Sequence, residues 1–97
     1  MEACMNPLAN NYPLVEVVWR DAEEYGDVGW NDFEDALKFA EEPCTIVRSI
    51  GYLLTASESH ISLLRSMHSG GVSSVEKIPR GFIEEIYYLQ RGVGNSV

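Results

Sequence analysis

The sequence predicts a mainly β domain with one short helix, an α+β chain whose five strands form a small barrel. Three observations carry this. Five stretches rich in β-branched and aromatic residues fall between residues 14 and 89, each bounded by turn residues. One stretch, residues 32–41, keeps helical spacing instead of alternation. The connections in the second half of the chain are short, as they are in small barrels of consecutive strands.

Each element has its own warrant. Leu14 to Arg20 alternates, with Val15, Val17 and Trp19 on one face and Glu16, Val18 and Arg20 on the other. Asp21 to Trp30 is a polar loop broken by Gly26 and Gly29. Asn31 is placed to cap a helix, with Glu34 three residues on as in a capping box, and Asp32 and Asp35 favour the positive end of the dipole. Phe33, Ala36, Leu37 and Ala40 then form one apolar stripe, and Pro43 stops the helix. Cys44 to Thr55 is a long strand without one clean period, and Gly51 inside it marks a bulge or a sharp bend. His60 to Met67 and Val72 to Ile78 are strands separated by the turn Ser69-Gly-Gly71. Pro79-Arg80-Gly81 interrupts the pattern before a last strand, Phe82 to Leu89, with Phe82, Glu84, Ile86 and Tyr88 opposite Ile83, Glu85, Tyr87 and Leu89. The chain, residues 1–97, is expected to form a single domain with its core over about 14–89 and terminal arms at 1–13 and 90–97.

Composition limits the function. Hydrophobic residues make up 45% and charged residues 23%, values that fit a soluble globular domain and no membrane span. Met1 to Asn11 lacks the basic start and apolar core of a secretory signal, and Cys4 and Cys44 are too few for a disulfide scaffold. Both observations lead to an expectation of cytoplasmic localisation, with the cysteines acting as small hydrophobes. The net charge of −8 is not spread evenly: residues 21–42 hold nine acidic side chains against Lys38, and the six acids and six bases elsewhere cancel. A neutral body with one acidic lobe has no basic stripe for a long nucleic acid.

The order Trp19 … Gly29-Trp30 … Ala40 … Pro43-Cys44 … Ser49-Ile-Gly-Tyr52 … Ile78-Pro79-Arg80 … Ile83 … Ile86 resembles a group of short proteins encoded by phages and prophages, over about residues 14–89. The break at Pro79-Arg80-Gly81 is similar to the single 3₁₀ turn that joins the fourth and fifth strands of SH3-like and Sm-like barrels. Arg80-Gly81 before an apolar strand also resembles the second motif of Sm-like proteins. The chain departs from that family in placing its helix after the first strand and in its acidic balance. The resemblance therefore implies a five-stranded SH3-like/Sm-like barrel with a helix in the first loop, in a phage protein acting in the host cell, and does not imply RNA binding.

Catalytic and metal-binding patterns are missing from the sequence. His60, His68, Cys4 and Cys44 lack the close pairing of a zinc site, no nucleophile motif accompanies any serine or cysteine, and Gly92-Val-Gly94 precedes no helix. The chain is read as non-enzymatic, without a cofactor or metal. Trp19, Trp30, Tyr52 and Phe82 suit a small core, with Trp30 the exception because it stands at a loop–helix junction. Arg48, Arg65 and Arg80, with Trp30 and Tyr25, form the candidate ligand-binding set: guanidinium forks suit phosphate and aromatic faces suit a base. The expected function is capture of a small nucleotide-derived signalling molecule, countering host antiviral defence. The alternative is an acidic protein–protein interaction module docking on a basic host protein. Apolar residues on both faces of the strands also predict a homo-oligomer.

Overall fold

The structure, a computed structural model, describes residues 12–95. In chain order it contains β1 (Leu14–Arg20), α1 (Phe33–Glu41), β2 (Ile46–Ala56), β3 (His60–Leu64), β4 (Met67–His68), β5 (Gly71–Val72), β6 (Val75–Pro79), a 3₁₀ turn (Arg80–Phe82) and β7 (Ile83–Tyr88). Five strands form one sheet in the order β6-β3-β2-β1-β7, and β4 and β5 form a separate small hairpin. Every neighbouring pair is antiparallel. The domain is thus mainly β with one helix, as the sequence predicts. The two edge strands share no ladder among the described residues, so the sheet is open. The expected terminal arms and Cys4 fall wholly or partly outside the described residues. No helix among these residues is long and apolar enough to cross a membrane.

The two edges are nonetheless joined by the three residues of the 3₁₀ turn. Four inter-strand steps in a flat sheet would separate β6 from β7 by about 19 Å. A 3₁₀ turn advances only about 2 Å per residue. The sheet must therefore curl sharply, and one face becomes concave. The concave face holds most of the core: Val15, Val17, Leu53, Ile61, Leu63 and Ile78 are buried together, with Trp19, Ile83 and Ile86 packed against them, while Val18 and Leu64 are buried on the opposite face. Cross-strand register explains the set, since Val17 faces Ile86, Leu53 faces Leu63, and Ile61 faces Ile78.

Two bulges make the curl and change the faces. On β7 the partner of Val18 is Glu85 and that of Trp19 is Ile83, so Glu84 is an extra residue. This places Ile83 and Ile86 on one face, where strict alternation puts them on opposite faces. Phe82, expected with Ile86 in the core, lies in the 3₁₀ turn and is exposed. On β2 the register shifts across Leu54. The bulge lies there, three residues beyond Gly51. Gly51 has a different role: a Cβ on it would stand 2.9 Å from the Leu64 carbonyl oxygen, so β2 and β3 approach too closely there for any side chain.

The predicted strands 60–67 and 72–78 are each divided. The Ser66 N–H bonds the Ser73 hydroxyl at 2.9 Å and the Ser73 N–H bonds the Ser66 carbonyl at 2.9 Å, so local serine bonds replace ladder bonds between β3–β6 and the β4–β5 hairpin. Buried polar groups are paired. Trp19 Nε1 donates to the buried Ser49 hydroxyl at 3.1 Å, and the Thr55 and Ser62 hydroxyls share a bond at 2.5 Å.

Gly51→Ala is expected to cost about 1–3 kcal/mol, the range for forcing a group into packed structure. Urea unfolding of the variant checks this; wild-type stability would show that the two strands separate freely.

Candidate functional site

Residues 21–45 leave the sheet between β1 and β2 and carry α1. Their base is closed by four bonds. The Asp21 N–H donates to the Thr45 carbonyl at 3.1 Å, and the Thr45 N–H donates to the Glu23 carboxylate. Arg20 Nη1 donates to the Cys44 carbonyl at 2.7 Å while its Nε meets the Glu84 carboxylate at 2.6 Å. One guanidinium thus clamps the excursion to β7. Thr45, through its hydroxyl first and its N–H second, holds the Glu23 carboxyl below its ordinary value of 4.5.

Within the excursion, Gly26 and Gly29 take φ of +108° and +107°, which the loop needs to reverse. Asn31 does not cap the helix. Its side chain bonds the backbone of Asp27 through both amide atoms, at 3.3 Å each, and folds the loop. Asp32 is the cap: its carboxylate accepts the Asp35 N–H at 3.0 Å. The cap falls one residue later than predicted because Asn31 is already committed to the loop. Glu34 and Asp35 occupy the first turn and Lys38 the last, all favourable to the dipole. Tyr25 packs on Phe39 with ring centroids 5.2 Å apart, tying loop to helix.

No residue of α1 is buried. Val28 is 106% exposed, Trp30 102%, Phe33 74% and Leu37 44%. The apolar stripe Phe33, Ala36, Leu37 and Ala40 is present as a helix face, but the sheet does not cover it. Four large apolar side chains therefore stand in water inside the field of nine carboxylates. Such a group suits an apolar recess with a basic rim, which would take up the side chains and pair with the acids.

The candidate ligand-binding residues lie on different elements. Trp30 and Tyr25 belong to the lobe. Arg48 lies on β2 and meets Glu16 at 3.6 Å. Arg65 follows β3 and borders a hollow of about 360 Å³ with Ile50, Leu63, Ser74, Val75 and Glu76, none of them from the lobe. Arg80 lies at the other end of the β3–β6 ladder, where Pro79 faces His60 while Val75 faces Leu64. It is exposed and fixed, its Nε donating to the Ser57 carbonyl at 2.8 Å. About 20 Å of strand separates Arg80 from Arg65. Cys44, expected to behave as a small hydrophobe, is a free and exposed thiol. Arg20 and Glu23, which attach the lobe, were not in the candidate set. Their signal is long-range, between residues 22 and 64 positions apart, and local spacing does not carry it.

The Glu23 carboxyl has a folded pKa below its unfolded value, so its bond to Thr45 is fully formed above about 4.5 and is lost as pH falls through the lower folded value. The Thr45 amide resonance is expected to titrate with a midpoint below 4.5, and Glu23→Gln is expected to abolish that titration while β1–β7 resonances stay in place. A midpoint at or above the ordinary value would mean that the carboxylate is free in solution.

Compared with known proteins, the chain matches no family model, no curated protein sequence and no solved structure.

Proposed function

We propose that this chain is a non-enzymatic protein-docking module whose lobe, residues 21–45, binds a basic surface on a partner protein. The observation that carries the proposal is the unburied group Val28, Trp30, Phe33 and Leu37 within the acidic segment. An amphipathic helix that finds no partner in its own domain suits a groove on another. Burying such side chains contributes about 1.5–3 kcal/mol each, and a tryptophan at the centre of a contact often carries much of the affinity. The carboxylates speed encounter and set register on a basic rim. The clamp by Arg20 and the bonds of Asp21, Glu23 and Asn31 hold the lobe in one shape, which lowers the entropy lost on binding.

The strand order, with a 3₁₀ turn between the last two strands, supports reading the curled sheet as an SH3-like/Sm-like barrel left open at one seam. In that reading the sheet is the scaffold and its first loop is the binding element. The resemblance to phage-encoded proteins supports a host protein as partner. Nucleotide capture, the other function expected from the sequence, needs arginines and an aromatic face around one ligand. Arg80 stands at the far end of the β3–β6 ladder from Arg65, and Arg48 faces Glu16, which lends it less support.

Affinity purification from bacterial extract with three forms of the chain tests the proposal: wild type, Trp30→Ala with Phe33→Ala, and Glu24→Gln with Asp35→Asn and Glu41→Gln. Glu23 is left intact because it attaches the lobe. A basic protein is expected with wild type. Its affinity should fall at least about tenfold, or about 1.4 kcal/mol, with the apolar variant. The amide variant should lose affinity mainly at low salt. A small anionic ligand seen on all three forms by native mass spectrometry, with no protein partner, would replace docking by ligand capture.

A further inference from the structure

We propose that a second copy of this chain covers the outer, convex face of the β2–β1–β7 half of the sheet, in a two-fold dimer that holds the two acidic lobes at opposite ends. Register builds this face row by row. Tyr52 faces Leu14, and the Leu89 N–H donates to the Leu14 carbonyl at 2.9 Å, so Tyr52, Leu14 and Leu89 form one row. Ile50, Glu16 and Tyr87 form the next. Ile50 is 52% exposed, Tyr87 43% and Leu89 38%, with Leu14 and Tyr52 half-buried. Together they expose on the order of 400 Å² of mainly apolar surface, within the range where the largest patch on a monomer has a purpose. The one acid among them, Glu16, is already paired with Arg48 at 3.6 Å. Two copies of this patch bury about 800 Å² in total, the size of a weak, concentration-dependent contact.

Charge selects the occupant and its orientation. Outside residues 21–42 the chain is neutral, so two bodies meet without net repulsion. The lobe is rooted at the Arg20 and Thr45 end of the strands, six residues along β1 from Leu14, or about 20 Å away. With a two-fold axis crossing the strands at Val15, the lobe roots lie about 34 Å apart, several screening lengths at physiological salt. An axis along the strands would bring both lobes to one end. The crossing axis also sets the Tyr52 row against the partner's Ile50 row, Leu89 over the partner's Tyr87. Beyond these, Arg91 borders a hollow of about 270 Å³ with Tyr12, Leu14, Tyr52 and Leu89, where it meets Glu85 of the partner, two residues before Tyr87. Each charge pair then occurs twice, as a two-fold contact requires.

Sedimentation equilibrium of the full chain tests this. Wild type at ~100 µM is expected at twice the 10.9 kDa chain mass. Ile50→Lys and Leu89→Lys, both at exposed positions, should each give the monomer with an unchanged circular dichroism spectrum. Glu85→Arg should weaken the dimer at least about tenfold, and adding Arg91→Glu should restore it. Trp30→Ala with Phe33→Ala should leave the dimer intact, which separates this surface from the docking lobe. A monomeric wild type, a dimer that survives both lysine variants, or a charge swap that fails to restore association would each overturn the proposal.

Discussion

The turn Arg80–Phe82 joins strands that lie at opposite edges of a five-stranded sheet. A connection of that length cannot span a flat sheet of this width, so the curl is a covalent requirement before it is a packing preference. The other features of the body answer to it. The extra residues at Glu84 and Leu54 let β7 and β2 bend without breaking their ladders. The bare backbone at Gly51 lets β3 come close to β2. The concave side then takes one well-packed set of aliphatic residues, and Trp19 closes its rim by bonding Ser49 instead of leaving an indole N–H unpaired.

The lobe is stabilised on other terms. A helix of nine residues is marginal in water, and this one buries nothing. Its order comes from the Asp32 cap, from acids at its start and a lysine at its end, and from the Tyr25–Phe39 stack. Its position comes from bonds at its root, chiefly those of Arg20 and Glu23. Shape and placement are thereby fixed with little help from the core, leaving the apolar face free. The sheet body holds the packed core, and the lobe holds the exposed apolar side chains.

Much of this arrangement was legible in the sequence, and the misreadings have physical causes. The existence and order of β1, α1, β2, β3, β6 and β7 follow from alternation, helical spacing and turn residues, and so does the turn after Pro79. Face assignment failed at Ile83, before the extra residue Glu84, because a single inserted residue reverses inward and outward, and nothing in the local sequence marks the insertion. The cap was placed at Asn31 instead of Asp32 because both residue types cap well, and only the Asn31 bonds to Asp27 decide between them. At the site, Trp30 stood out as the exception to burial because of its position before the helix. Phe33 and Leu37 did not, since an apolar stripe on a helix has the same spacing whether it faces a core or water. The arginines could be named as phosphate-binding types, but where they lie relative to one another depends on strand order, which composition does not contain.

The contrast between the two tryptophans has a practical consequence. Trp19 is half-buried against the core with its indole N–H bonded to a serine, whereas Trp30 stands wholly in solvent at the foot of α1. The chain therefore carries two intrinsic fluorophores in opposite surroundings, one responding to the state of the sheet and the other to whatever approaches the lobe. Emission from the first is shielded from aqueous quenchers and emission from the second is fully open to them. Folding and association can thus be followed separately in the unlabelled protein, by wavelength and by quencher access.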